Sequence, residues 1–332
     1  MAKKLIKVSR GDLTVTRQRR GRGFCYRNAE GVLVCEAEFK ARIADLAIPP
    51  AWRDVRIAHE ARAHIQCIGT DEAGRVQYIY HPDWEARRSA KKQRRLAALT
   101  EALPRIRRRV RRDLLAEAGS MKLAQAMAVA LIDATAMRVG RERYLEENGT
   151  RGAGTLYARD VTVDGSQVCT HFLAKGGKQT NYCFSDRRLA EAITRIKSLR
   201  AKRLLAYRDA TGRVKPLKTG MINAYLRDIA GVPVSAKDFR TLHASARAAE
   251  ALAALPPVTS ESARKRQIAG VAREVAEFLR NTPMICRKSY IAPCLFRLFD
   301  EGRLQRLWAA SASGTRGLKL REQKLGAVLK AA

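Results

Sequence analysis

Apolar and polar positions alternate over short runs from about residue 10 to about residue 85, and from there most of the chain follows a helical period. In the first stretch GDLTVTRQ, GVLVCEAEF and IQCIGTDEAGRVQYIYHP carry the strand signal, short β-branched and aromatic runs with a period of two. Within the last of these, Ile65–Ile68 and Val76–Tyr80 flank the turn residues TDEAGR, which predicts a hairpin. IPPAW at 48–52 predicts a rigid extended element, because each proline fixes its own φ and biases the preceding residue away from helix.

Near residue 85 the period lengthens. WEARRSAKKQRRLAALTEALPRIRRRVRRDLLAEAG predicts a helix with one dense Arg/Lys face, either a solvated face or a DNA-facing one. The domain boundary falls at this change, giving 1–89 as a small β-rich domain and 90–332 as a larger, mostly helical one. Residues 120–147 open on a plausible N-cap, Ser120, and repeat apolar residues at Leu123, Met127, Leu131 and Ala134, with Arg138 next on the same stripe. An arginine there either snorkels from the helix end or meets an anion.

Strands return over 159–185, where a DG turn and a GG turn sit between alternating runs and Lys175 stands at the mouth of the second turn. Capped helices follow. SAKD at 235–238 fits a capping box, which puts Arg240 in the first turns of its helix. SASGTRG, near 311, predicts a short flexible stretch before a basic terminal helix. NTPMICRKSYIAP, residues 281–293, places one tyrosine, Tyr290, just after Arg287 and Lys288. That tyrosine is either an amphipathic aromatic at a helix start or a nucleophile, which a phenol becomes only with help from its surroundings.

Charge narrows the partner. Lys and Arg total 65 against 32 Asp and Glu, a formal charge of +33, and an excess of that size calls for a polyanion such as nucleic acid. There is no apolar run long enough to span a bilayer and no basic helix with a wide aromatic face, so no membrane partner is expected. The N-terminus lacks a signal-peptide h-region, which points to the cytoplasm. Seven scattered cysteines with no C-x-x-C pair predict reduced thiols, with Cys286 a small buried one. The glycines at 149–154 and AKGGKQT lack phosphate-loop spacing, and His59 and His64 in HEARAH are five apart, about 140° around a helix; neither cofactor nor metal is expected.

Four residues remain that together specify a chemistry: Arg138, Lys175, Arg240 and Tyr290. Cleaving a phosphodiester by an oxygen nucleophile puts charge on the non-bridging oxygens, which planar arginine forks hold well. A poor alkoxide leaving group needs a proton donor, a task open to a lysine on a projecting hairpin. Taken singly, Arg240 could serve a structural ion pair and Lys175 could be a solvated turn lysine.

At these residues the sequence resembles the type IB DNA topoisomerases, in the short poxvirus-like branch found in bacteria. IPPAW, GRVQYIYHP, MRVG, AKGGK, KDFRT, NTP and CRKSY carry the likeness, in that order and over nearly the whole chain. The resemblance implies an α+β fold, with an N-terminal β-rich DNA-binding domain and a C-terminal helical catalytic domain that includes a small β-hairpin sheet, together a C-shaped clamp on duplex DNA. It also implies relaxation of positive and negative supercoils by single-strand cleavage, rotation and religation, without ATP or metal, by a nucleoid-associated monomer acting preferably on supercoiled duplex. Tyr290 would form a 3′-phosphotyrosyl bond, Arg138 and Arg240 would bind the scissile phosphate, and Lys175 would be the general acid, assisted by Arg138.

Asn281 stands where many members carry histidine. It can donate a hydrogen bond to a phosphate oxygen but cannot transfer a proton, and its other reading is a helix C-cap before Pro283. Ala174 stands where glycine is usual, with little expected effect on the hairpin. The resemblance places Arg75, Gln77 and Tyr78 in DNA contact, with Gln77 reading a base edge in the major groove. Tyr80 shares the Tyr78 face and either joins them or packs the sheet. Tyr144 and Lys237 match positions near the phosphate backbone. Two rivals stand beside this reading. A tyrosine recombinase would show His-x-x-Arg where KDFR stands, and a non-enzymatic nucleic-acid packing protein would explain the charge alone.

Overall fold

Five antiparallel strands in the order β2-β1-β3-β4-β5 take up the N-terminal alternation: β1 (Val15–Arg20), β2 (Gly23–Arg27), β3 (Arg53–Ile57), β4 (Ile65–Thr70) and β5 (Val76–Tyr80). The computed structural model describes residues 4–311 and 317–332; residues 312–316 of the SASGTRG stretch, expected to be flexible, lie outside the described residues. The expected hairpin forms, with Thr70 opposite Val76 and Ile68 opposite Tyr78. Asp71 closes it, accepting hydrogen bonds from the backbone N–H groups of Ala73 and Arg75. Val15, Val55, Ile57 and Cys67 pack beneath the sheet with Phe39 and Ile43 of helix α1 (Ala37–Asp45).

Two local expectations fail in this unit. GVLVCEAEF is not a strand: Leu33 makes only an isolated bridge to Arg27, and α1 begins at Ala37, because Phe39 and Ile43, four apart, bury one helical face. IPPAW is not extended throughout, since the Trp52 N–H donates to the Pro49 carbonyl at 3.1 Å. Pro50 there supplies the fixed φ that the second position of a turn requires.

Helix α2 (Pro82–Asp113) buries Leu96, Leu99, Leu103, Ile106 and Val110 at helical spacing, and the chain divides within it into two units, Met1–Lys91 and Lys92–Ala332. Helix α3 (Met121–Thr135) starts at Ser120, whose hydroxyl accepts from the Leu123 N–H. It stops earlier than the apolar stripe predicts. The Thr135 hydroxyl donates back to the Leu131 carbonyl and accepts from the Met137 N–H, and Ala136 takes a left-handed φ of 53°. Arg138 is therefore not on a helix stripe but in the connection to α4 (Glu142–Asn148).

A three-stranded sheet of β6 (Val161–Asp164), β7 (Gln167–Ala174) and β8 (Lys178–Ser185) follows, with the expected DG and GG turns between its strands. Its register overturns the expectation of reduced thiols throughout. Cys169 faces Cys183 with Cα atoms 4.2 Å apart, and the two are disulfide-bonded. A count of scattered cysteines cannot reveal a pair that strand register alone creates; the other five are free, and burial pushes the Cys286 thiol up.

Helices complete the unit: α5 (Arg187–Lys197), the small hairpin of β9 (Ala206–Arg208) and β10 (Val214–Pro216), α6 (Thr219–Ala230), α7 (Ala236–Ala254), α8 (Glu261–Leu279), the short turn α9 (Pro283–Ile285), α10 (Pro293–Asp300), α11 (Leu304–Ala310) and α12 (Leu320–Ala331). Most residues of α7 and α3 are buried, so they form the centre of the core. One buried polar network ties its margins. Arg107 of α2 donates to both carboxylate oxygens of Asp133 on α3 and to both of Glu322 on α12, all at 2.7 to 2.9 Å.

Burial opposes ionisation of Asp133, but hydrogen bonds from His243 and Arg107 outweigh it and hold its carboxyl well below the usual carboxylate range. Its contribution to stability is thus present above about pH 4 and is lost as pH falls below the ordinary carboxylate range. Because breaking a buried ion pair on one side costs about 3–5 kcal/mol, Glu322→Ala is expected to lower the unfolding free energy from a urea titration by that order, with a lower midpoint, and Glu322→Gln to be milder. An unchanged midpoint would show that α12 is not anchored by this network.

Candidate active site

The connection that carries Arg138 is clamped on its backbone. The Arg138 carbonyl accepts from the Ala153 N–H at 2.9 Å, the Val139 carbonyl from Gly154 at 2.7 Å, and the Gly140 carbonyl from the Thr219 hydroxyl at 2.8 Å. Gly152 makes this approach possible, since a Cβ there would lie 2.3 Å from the Arg138 carbonyl oxygen. Arg138 itself has no carboxylate partner among the described residues. Burial lowers its pKa and the like charge of Arg240 adds to this, while Tyr290, Tyr182 and Cys286 work the other way.

Arg240 sits in the second turn of α7, as the capping box of Ser235 and Asp238 predicts. Only 3 % exposed, its guanidinium donates to the Ala136 carbonyl at the end of α3 and to the Leu279 carbonyl at the end of α8. These carbonyls are among the last of their helices, which lack intrahelical donors. One side chain thereby fixes two helix ends and is fixed by them. Its Nε–H is buried with no acceptor among the described residues, and its guanidinium carbon lies 5.0 Å from the centre of the Tyr290 ring.

Tyr290 closes a π-helical turn, Cys286–Tyr290, an uncommon conformation frequent at functional sites. Its backbone is held from α7 by Ser245, whose hydroxyl donates to the Tyr290 carbonyl at 3.2 Å and accepts from the Ala292 N–H at 3.0 Å. From α2, the Lys92 ammonium donates to the Ser289 carbonyl at 2.5 Å. No described residue hydrogen-bonds the Tyr290 hydroxyl.

Lys175 lies exposed at the tip between β7 and β8, where Gly176 and Gly177 take φ values of 82° and 71° that side chains rarely adopt. Ala174, in place of the usual glycine, pairs in register with Lys178. Arg138, Lys175, Arg240 and Tyr290 all line one cleft of about 770 Å³. Tyr144 and Lys237 line it too, with the Lys237 ammonium 5.9 Å from the Tyr290 ring centre. Arg141 and Arg151 bring the cationic side chains to six, and no carboxylate is among the lining residues. Such a surface suits a phosphodiester.

Asn281 is not brought into that cleft. It follows the left-handed Arg280 that ends α8, its N–H reaching back to the Ala276 carbonyl and its Oδ1 accepting from the Thr282 N–H. It lines a separate depression with Lys178, Gln179 and Arg273. Lys92, Arg141, Arg151 and Ser245 were not singled out by the sequence. Lys92 is one of many cations in a basic run, and a mid-helix serine carries no signal of its own.

In the N-terminal unit the Asp71 carboxylate accepts from the side chains of both Arg75 and Gln77, at 2.9 and 2.8 Å. Hydrogen bonds from Arg75 hold that carboxyl down at about 2. Tyr78 and Tyr80 stack with ring centres 5.8 Å apart, and Arg10 donates to the Tyr78 hydroxyl while Arg88 covers the Tyr80 ring. This leaves β5 half-exposed, with Gln77 on one face and Tyr78 and Tyr80 on the other. Among the described residues no group of three or more His, Cys, Asp or Glu is placed to hold a metal, and no helix is long and apolar enough to cross a membrane.

Residues 82–292 match the family model described as eukaryotic DNA topoisomerase I, catalytic core, and residues 23–71 match the one described as bacterial DNA topoisomerase IB, N-terminal domain. A DNA topoisomerase 1B of Acanthamoeba polyphaga mimivirus is 26% identical over 296 residues, which cover 86% of this chain and 87% of that protein. These matches favour neither the recombinase nor the packing-protein reading. The catalytic-core match alone takes in the Arg138 connection, the Lys175 hairpin, α7 and Tyr290, well over half of the chain, and by it the chain belongs to the type IB DNA topoisomerases.

Proposed function

We propose that Tyr290 attacks a phosphorus of one DNA strand, forming a bond from its phenolic oxygen to the phosphate and releasing its phenolic proton to water, while the bond from phosphorus to the 5′-oxygen breaks. The product is a 3′-phosphotyrosyl enzyme with a free 5′-hydroxyl strand, which rotates and then attacks in reverse. Arg138 and Arg240 bind the non-bridging oxygens, which carry the most charge in the transition state, where preorganised donors count most. Lys175 protonates the leaving oxygen, with Arg138 assisting. The observation that carries this reading is the cleft itself, where six cationic side chains and Tyr290 line one space and no carboxylate is among the lining residues. Its cations have their natural counter-ion in a phosphate, and the covalent bond stores the energy for religation without ATP.

Tyr144 and Lys237 contact flanking phosphates. Arg75, Gln77, Tyr78 and Tyr80 make the N-terminal unit a DNA-binding one, in which Asp71 pre-orients Arg75 and Gln77 for contact with the duplex. Asn281 donates from its side-chain amide to a phosphate oxygen. The protein acts as a monomer on supercoiled duplex, and its charge of +33 favours residence on the nucleoid.

The first test is relaxation of supercoiled plasmid in EDTA without ATP, which is expected to proceed for the parent protein and to vanish for Tyr290→Phe; a requirement for ATP or a metal would overturn the scheme. Lys175→Ala is expected to cleave ordinary DNA about 10²–10⁴-fold more slowly, yet to recover on a strand whose 5′-bridging oxygen is replaced by sulfur, a leaving group that needs no proton. Failure to recover would remove Lys175 as the acid. In α2, Lys91 and Arg94 are exposed and pair with no carboxylate among the described residues, unlike the half-buried Arg107. Changing both to Gln is expected to flatten the log–log salt dependence of DNA binding by up to about 0.9 for each phosphate that is no longer neutralised, with cleavage at saturating DNA little altered.

A further inference from the structure

We propose that Lys92 is a positioning residue for the cleavage step, holding the nucleophile segment in place through the Ser289 carbonyl; the inference rests on the reading of Tyr290 as nucleophile. Lys92 stands 197 residues away from Ser289 in sequence and donates to its carbonyl at 2.5 Å. The next carbonyl, that of Tyr290, is taken by Ser245. Two successive carbonyls at the end of the π-helical turn are thus held from two different helices, α2 and α7. These are C-terminal carbonyls, for which a cation is the favoured partner.

The surroundings of Lys92 argue against an ordinary surface or ion-pair lysine. It makes no salt bridge among the described residues, and the adjacent Asp238 is already engaged by Arg95 at 2.5 Å. Burial pulls the Lys92 ammonium down to about 8, and the like charge of Lys237 adds to this while Asp238 opposes. An ammonium kept in so unfavourable a place needs its hydrogen bond, and the acceptor is one residue from the reacting phenol. Lys92 is not among the residues that line the cleft. Its effect passes through the backbone, where a displacement of about 1 Å costs on the order of 10²-fold in rate.

The experiment measures single-turnover formation of the covalent complex at saturating duplex DNA, together with the dissociation constant, for Lys92→Met, Lys92→Arg and Tyr290→Phe. Lys92→Met is expected to slow cleavage about 10–100-fold with binding changed less than about threefold, and Lys92→Arg, which keeps a donor, to recover most of the rate. A 5′-bridging sulfur is expected not to rescue Lys92→Met, because proton delivery to the leaving group is intact. Lys92→Gln, polar and neutral, carries the same measurement should the methionine variant melt early, and the same slowing is expected.

An unchanged cleavage rate overturns the inference. So does a loss confined to binding, which would make Lys92 a plain DNA contact, or rescue by sulfur, which would make it a proton donor. If Tyr290→Phe still forms a covalent complex, the nucleophile assignment fails instead. If Tyr290→Phe forms none while Lys92→Met is unimpaired, the role of Lys92 alone fails.

Discussion

The buried guanidinium of Arg240 is the interaction on which the cleft depends. Its two terminal nitrogens close the ends of α3 and α8 through the Ala136 and Leu279 carbonyls. The first of those contacts sits where the chain turns off α3 toward Arg138, and the second sits just before the segment that leads to Tyr290. Two helix ends, each with carbonyls that lack intrahelical donors, are thus drawn to one charged group. A buried charge is tolerated when hydrogen bonds compensate it, and here the compensating acceptors are the very points from which the site is built.

Around that centre the protein gathers like charges that repel one another. Arg138 senses the like charge of Arg240, and Lys92 that of Lys237 on a neighbouring helix. The fold must supply rigidity elsewhere to hold them. Arg107, with Asp133 and Glu322, does so on the margin of the core, and the Gly152 approach locks the Arg138 connection on its backbone instead of its side chain. The margin and the cleft are two uses of the same residue type. Arg107 is met by two carboxylates and Arg138 by none among the described residues, while Arg151 at the cleft wall pairs with Asp160.

Much of this was legible beforehand. The hairpin tip with Lys175, the capping box before Arg240 and the Ser120 cap each rest on interactions within a few residues, which sequence pattern reports directly. Arg138 was legible as an unusual residue but not in its setting, since the apolar stripe did not register that Thr135 and Ala136 would end the helix. GVLVCEAEF misled for a similar reason, because two aromatic and aliphatic positions four apart had a core to bury in that alternation alone could not disclose.

By itself, then, the sequence determined the element types wherever capping, turn chemistry and periodicity agree, and it determined a chain whose +33 charge needs a polyanion. Tertiary structure alone decided which cations meet Tyr290, that Cys169 meets Cys183, and that Ser245 and Lys92 hold the backbone beside the nucleophile. The physical reason is range. Caps and turns are satisfied within one turn of chain, whereas a carbonyl at a helix end accepts whichever donor the packing of distant helices delivers.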